Sequence, residues 1–179
     1  MPNIQERVYW STVSYNNWQL YLAATDIGLC CITLPNESLD TLRQWVHIHI
    51  PGAWIIEDAS KLGQYQEQLV EHLRGERTTF TLPLDLRGTA FQVSVWEALT
   101  RIPYGETRSY SELAMIVKRP KAVRAVGAAN GANPIPIMVP CHRVIGKDGT
   151  LHGFRGGLAV KAELLRLEGL QAYHTCGTS

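Results

Sequence analysis

Ser109-Tyr110-Ser111-Glu112-Leu113-Ala114-Met115-Ile116-Val117-Lys118-Arg119-Pro120-Lys121-Ala122-Val123-Arg124-Ala125-Val126-Gly127-Ala128-Ala129-Asn130-Gly131 decides the fold of the C-terminal half. Helical patterning runs from Ser109 to Val117, breaks at Lys118-Arg119-Pro120, and resumes from about Pro120 to Gly131. Proline suits a first helical position, because the amide hydrogen it lacks has no partner there anyway. Two short helices joined by a tight turn form the pattern of a helix-turn-helix. The second helix carries almost no long polar side chain from Ala125 to Ala132. Base reading in the major groove usually takes Arg, Lys, Gln or Asn. Glycines inside a helix cost about 1 kcal/mol each, and Gly127 and Gly131 accept that cost. Two explanations stand: close approach to DNA without base reading, or packing against another helix. Lys118, Arg119, Lys121 and Arg124 cluster at the start of this helix and suit phosphate contacts.

Outward from this core, Thr89 caps a segment that turns Phe91, Val95, Trp96 and Leu99 inward and stops at Ile102-Pro103-Tyr104-Gly105. A last helix runs from about Leu158 to Glu168, with Gly169 as its stop. The first half reads as β-rich. Val8–Val13, Trp18–Leu22 and Ile27–Leu34 are strand-like, with Asn16-Asn17 and Asp26-Ile27-Gly28 as turns. Ser38 caps one helix there, and Leu62, Tyr65, Leu69, Val70 and Leu73 mark another, closed by Gly75. Leu82–Gly88 reads as a linker. The expected organisation is an N-terminal domain over 1–82, a linker over 83–88, a C-terminal domain over 89–172 and a tail over 173–179.

With 45 % apolar and 18 % charged residues, the 179-residue chain is globular rather than disordered. The N-terminus lacks the basic-then-apolar order of a signal peptide. No apolar run approaches the ~18 residues of a membrane span. An intracellular, cytoplasmic protein without membrane contact is expected. Residues 1–82 hold five Lys/Arg against nine Asp/Glu, and 83–179 hold twelve against seven. That asymmetry fits nucleic-acid contact by the second half, and equally fits scatter.

Of the four cysteines, Cys30 and Cys31 sit in an apolar run and read as core, and Cys176 lies in a polar tail. No spacing suggests a disulfide framework or a metal site, so no metal is expected. Cys141 stands apart in Pro140-Cys141-His142-Arg143. Only a thiolate is a good nucleophile, and a free thiol titrates near ~8.5. His142 could serve as base, directly or through a water, and Arg143 as positive surrounding. Pro134, Pro136 and Pro140 stiffen the approach. Glu168 falls on the inward face of the last helix, at its electronegative end, where a cation such as His142 would offset its cost. A Cys–water–His–Glu relay is one reading. A structural cysteine beside a solvated helix-end glutamate is the other.

Ile102-Pro103-Tyr104-Gly105-Glu106-Thr107, Arg124-Ala125-Val126-Gly127, Asn133-Pro134, Pro140-Cys141-His142-Arg143-Val144-Ile145 and Gly156-Gly157-Leu158-Ala159-Val160-Lys161 occur in this order. Together they resemble the O6-alkylguanine-DNA alkyltransferases over about residues 88–170. The resemblance implies an α+β fold. Its N-terminal part is an α/β ribonuclease-H-like domain, and its C-terminal part is mainly helical with a winged-helix-like helix-turn-helix.

It implies single-turnover repair of double-stranded DNA, with alkyl transfer from O6-alkylguanine, and from O4-methylthymine as a second lesion, to Cys141. No cofactor is needed, and a monomer is expected. His142 takes the thiol proton through a water, Glu168 orients His142, and Asn133 braces the turn before the acceptor loop. Arg124 fills the gap left by the extruded base. Tyr110 helps to rotate the nucleotide and supplies a proton near guanine N3. The carbonyls of Cys141 and Val144 and the amide of Arg155 recognise the guanine. Lys121, Ala125 and Gly127 meet the duplex, and Phe154 stacks on the purine. Many members carry tyrosine at the Phe154 position, so a hydroxyl is missing here. The Cys/His zinc set of some relatives is not evident. Two other functions fit parts of the sequence. A non-catalytic DNA-binding regulator leaves Cys141 unexplained, and a cysteine hydrolase leaves the alanine-glycine helix unexplained.

Overall fold

The computed structural model describes residues 4–170 and the backbone of a strand at 174–175. Cys176 and most of the tail read at 173–179 lie outside the described residues. The fold is mixed α+β, in two compact units, one running through Arg87 and the other from Gly88 onward.

The first unit is built on four strands, β1 (Arg7–Tyr15), β2 (Trp18–Ala24), β3 (Leu29–Ile32) and β4 (Trp54–Glu57), with helices α1 (Leu39–His49) and α2 (Ala59–Leu73). The sheet order is β3-β2-β1-β4. β1 and β2 form an antiparallel hairpin whose turn uses Asn16 at φ 51°, a left-handed conformation that asparagine tolerates. β4 pairs parallel with β1. Residues of both parities along β1 are buried, so both sheet faces are covered. On one face Val8, Ala23, Cys30 and Cys31 pack with Leu42, Val46 and Ile50 of α1 and its end. On the other, α2 sends Lys61 over the Tyr9 ring and Gln66 Nε2 to Ser11 Oγ at 2.8 Å. Cys30 and Cys31 are therefore core side chains, and burial pushes the Cys30 thiol far up.

The segment read as a linker does not leave the first unit before Arg87. Leu84 bridges β3 at Leu29, and the Asp85 amide donates to the Leu29 carbonyl at 2.7 Å. The buried Asp85 carboxylate accepts from Thr25 and from Arg87, and Arg87 also holds Glu6 at 2.7 Å.

The second unit contains α3 (Ala90–Thr100), β5 (Arg108–Ser109), α4 (Tyr110–Ile116), α5 (Val123–Gly131), a 3-10 turn at Cys141–Arg143, β6 (Val144–Ile145), β7 (Thr150–Leu151), α6 (Leu158–Leu167) and β8 (His174–Thr175). Thr89 caps α3 with a reciprocal bond to Gln92, and Ser109 caps α4 with Glu112 in the same way. Trp96, buried on α3, donates its indole hydrogen to the Ala129 carbonyl at 2.8 Å and so anchors α5.

The helix-turn-helix is present as α4 and α5, but α5 starts at Val123 rather than at Pro120. Lys118 adopts φ 61°, and the Ala122 amide closes a turn on the Arg119 carbonyl, so Pro120 belongs to the turn. Parallel pairing of β5 with β6 places the start of α4 directly beside the chain that leaves Cys141.

Candidate active site

Cys141 begins a 3-10 turn, so its side chain and those of His142 and Arg143 fan out instead of alternating along an extended strand. The preceding loop is tightly specified. Asn133, itself buried, accepts the Ile135 amide at 2.9 Å and donates to the Val139 carbonyl at 2.8 Å. The Val139 amide returns to the Ile135 carbonyl at 2.9 Å. Within this closed turn Ile137 is held at φ 76°, a conformation that a β-branched residue adopts at a cost of roughly 1–3 kcal/mol. The bonds of Asn133 offset that strain and fix where Cys141 stands.

His142 and Glu168 have fully buried side chains, and His142 Nε2 is hydrogen-bonded to Glu168 Oε2. An ionised carboxylate can only accept, so Nε2 carries the hydrogen. Burial lowers the His142 pKa against the pull of Glu168, which keeps the ring neutral with Nδ1 as its bare acceptor. That Nδ1 is buried with no hydrogen-bond partner among the described residues. Leaving such an atom unmade costs about 1–3 kcal/mol, so it asks for a functional explanation.

Glu168 caps α6. Its Oε1 accepts from Arg143 Nε at 2.8 Å and from the Gly105 amide at 3.0 Å. Burial would raise this carboxyl, but the bonds from His142, Gly105 and Arg143 hold it well below the usual carboxylate range. Arg143 also donates to the Ile102 carbonyl at 2.6 Å and lies over the Tyr104 ring. The Ile102–Gly105 turn thus serves as the floor of the carboxylate site.

Burial pushes the Cys141 thiol up. A hydrogen bond from Asn133 and the charges of Arg155 and Lys161 pull the other way. The positive surrounding expected from Arg143 therefore comes from two other residues, since Arg143 is committed to Glu168. Arg155 also donates to the Asn133 carbonyl at 2.9 Å, tying the loop after β7 to the acceptor turn.

Lys161, which no sequence argument singled out, is fully buried on α6. Its ammonium donates to the His152 carbonyl at 3.0 Å and sits 5.9 Å from the centre of the Tyr110 ring. Burial lowers it to about 8, against the opposing pull of the Cys141 sulfur. A signal was available: Lys161 shares the inward stripe of Leu158, Leu164, Leu165 and Glu168, a place where lysine is rarely found unless it has work there.

The other residues read from sequence divide into two groups. Tyr110 and Phe154 are half-buried and Val144 is buried. Arg124 and Ala125 are exposed on α5 and Lys121 is exposed in the turn just before it, while Val126, Ala129 and Asn130 form the buried face of the helix. A Cβ at Gly131 would meet nothing within 4 Å, and one at Gly127 would meet only the Tyr110 ring, at 3.7 Å. Packing inside the protein does not require either glycine. Among the described residues no group of His, Cys, Asp and Glu could hold a metal ion, and no helix is long and apolar enough to cross a membrane.

Comparison with known proteins agrees with this geometry. Residues 90–170 match the family described as 6-O-methylguanine DNA methyltransferase, DNA binding domain. Residues 8–86 match its ribonuclease-like domain. The chain belongs to the 6-O-methylguanine DNA methyltransferase family. The inducible methylated-DNA–protein-cysteine methyltransferase of Bacillus subtilis is 47 % identical over 168 residues, 94 % of each chain. A crystal structure of Mycobacterium tuberculosis O6-methylguanine methyltransferase superposes with a TM-score of 0.78 at 42 % identity, covering 92 % of this chain and 94 % of that one. A structure of the M. tuberculosis protein in complex with DNA gives 0.77 at 41 % identity, covering 90 % and 93 %.

Proposed function

We propose that this protein repairs double-stranded DNA by moving an alkyl group from O6 of guanine onto Cys141, once per molecule. The observation that carries the reading is the buried His142: Glu168 holds its Nε2 and leaves Nδ1 bare, on the residue that follows Cys141, the only cysteine of the second unit's described core.

In this reading the Cys141 proton passes through a water to His142 Nδ1. The imidazolium that forms is stabilised by the Glu168 carboxylate, in the logic of nucleophile, base and orienting group. The thiolate attacks the alkyl carbon, an S–C bond forms, the C–O bond breaks, and guanine leaves with the electron pair. The thioether has no internal path back to thiol, and no cofactor enters the balance. Asn133 is the brace that sets the acceptor. Burial raises the Tyr110 hydroxyl, which keeps it protonated and fit to donate near guanine N3. The carbonyls of Cys141 and Val144 and the amide of Arg155 recognise guanine, and Phe154 stacks on it.

Cys141 is only 5 % exposed, so a guanine inside a duplex must leave the stack to reach it. Flipping costs a few kcal/mol. The exposed Arg124 would enter the vacated space, with Lys121 on a phosphate and the bare backbone at Ala125 and Gly127 against the groove. A monomer acting in the cytoplasm fits this chemistry. Cys141→Ala protein should bind duplex carrying O6-methylguanine and leave the lesion intact. Continued lesion removal by that variant would refute the assignment.

A further inference from the structure

Only two buried side-chain polar atoms among the described residues lack a partner, His142 Nδ1 and Asn130 Oδ1. Asn130 lies on the inner face of α5 and is 4 % exposed. Its Nδ2 approaches the Cys141 carbonyl at 3.5 Å. The orientation of the amide is fixed by chemistry, because only the NH2 side can face a carbonyl oxygen. Oδ1, on the same carbon, is therefore left as an acceptor with nothing to accept from. Native proteins rarely bury such atoms without a use, and here both belong to residues that adjoin or contact Cys141.

We infer that Asn130 is a positioning residue for the proton relay, with its Oδ1 and His142 Nδ1 holding the relay water that faces the Cys141 thiol. The inference rests on the proposed function and adds a residue to it. A buried water typically makes about three hydrogen bonds. With one hydrogen given to Nδ1 and the other to Asn130 Oδ1, its lone pair is left for the thiol hydrogen. The transfer then balances: the S–H bond breaks, its proton goes to the water, and the proton bound toward Nδ1 completes the move to His142. Without the Asn130 acceptor the water has no fixed second hydrogen and can turn its lone pair away from the sulfur.

The test measures Cys141 reactivity toward iodoacetamide against pH, on full-length protein without DNA, beside single-turnover transfer from O6-methylguanine duplex. Asn130→Leu keeps the volume and removes both polar atoms. It should raise the pH midpoint of Cys141 alkylation by about one unit and slow transfer at pH 7 by tenfold or more. Asn130→Ser retains an acceptor and should recover at least half of the midpoint shift. An Asn130→Leu protein with the parent midpoint overturns the inference. Equal slowing in both variants with an unmoved midpoint also overturns it, because that is a packing effect. Should Asn130→Leu fail to fold, Asn130→Ala against Asn130→Ser makes the same comparison. The iodoacetamide arm needs no DNA, so it decides the role of Asn130 even if the parent protein never methylates Cys141, an outcome that would sink the proposed function instead.

Discussion

Arg143 Nε donates to Glu168 Oε1 across 2.8 Å, and both side chains are almost wholly removed from water. Glu168 consequently has each oxygen assigned, one to His142 and the other to Arg143 and Gly105. Removing one partner of a buried pair leaves an uncompensated charge, at a cost of roughly 3–5 kcal/mol. Arg143→Met should therefore lower the unfolding free energy by about 3 kcal/mol in denaturant titration. A loss below about 1 kcal/mol would mean that Glu168 is satisfied without it.

Glu168→Gln tests the carboxylate as a charge rather than as a shape. The amide can still contact His142, but it offers no anion to an imidazolium. Single-turnover transfer should fall by about a hundredfold or more, while affinity for lesion duplex stays within a factor of about two. Retention of most of the parent rate would show that His142 does not become cationic during the reaction.

Lys161 gives the stability a definite pH dependence. Its folded pKa is about 8 and its ordinary value 10.5. Between those values the unfolded chain binds more protons at this site, so its contribution to stability rises with pH across the window. Below pH 8 the full cost of a buried ammonium is present. Lys161→Met should remove that slope and be at least as stable as the parent at pH 7, by up to about 3 kcal/mol. The same variant should react more slowly at Cys141, having lost a positive neighbour of the sulfur. Parallel stability curves for the two proteins from pH 7 to 10.5 would contradict the assignment.

Arg124 and Lys121 are exposed, so their roles separate cleanly from folding. Arg124→Ala should leave stability within about 0.5 kcal/mol of the parent. It should slow transfer from duplex more than from single-stranded DNA, where no base has to be unstacked. Lys121→Ala should weaken duplex binding uniformly and flatten its log–log salt slope by about one. Equal losses on both DNA forms for Arg124→Ala would argue against insertion into the stack.

The helices and the reactive segment could be read from sequence because their signals are local. Ser38 and Thr89 each cap the helix they were expected to cap, Ser109 caps the helix it was expected to begin, and the period of α6 put Glu168 on its inward face. β4 leaves no local signal, because only four residues form it and it pairs with β1 in the register Arg7 to Trp54, so no turn announces it. Residues 83–87 have linker-like composition, yet backbone bonds to Leu29 and the buried Asp85 hold them to the first sheet. Pro120 satisfied the rule for a first helical residue, but the left-handed Lys118 delayed the helix by three positions.

In the site, Cys141 and His142 drew attention by chemistry. Arg143, Lys161 and Asn130 owe their importance to what surrounds them in space. A tetrapeptide cannot say that Arg143 turns away from the sulfur, nor a helix pattern that a lone asparagine oxygen ends up buried without a partner.

The central claim is that Cys141 is a stoichiometric alkyl acceptor. The direct measurement is intact mass with peptide mapping after incubation with excess duplex containing O6-methylguanine. One added methyl per chain, on Cys141, with repair ceasing at one lesion per molecule, is the expected result. Lesions lost in excess of protein, or lost while Cys141 stays unmodified, would contradict it.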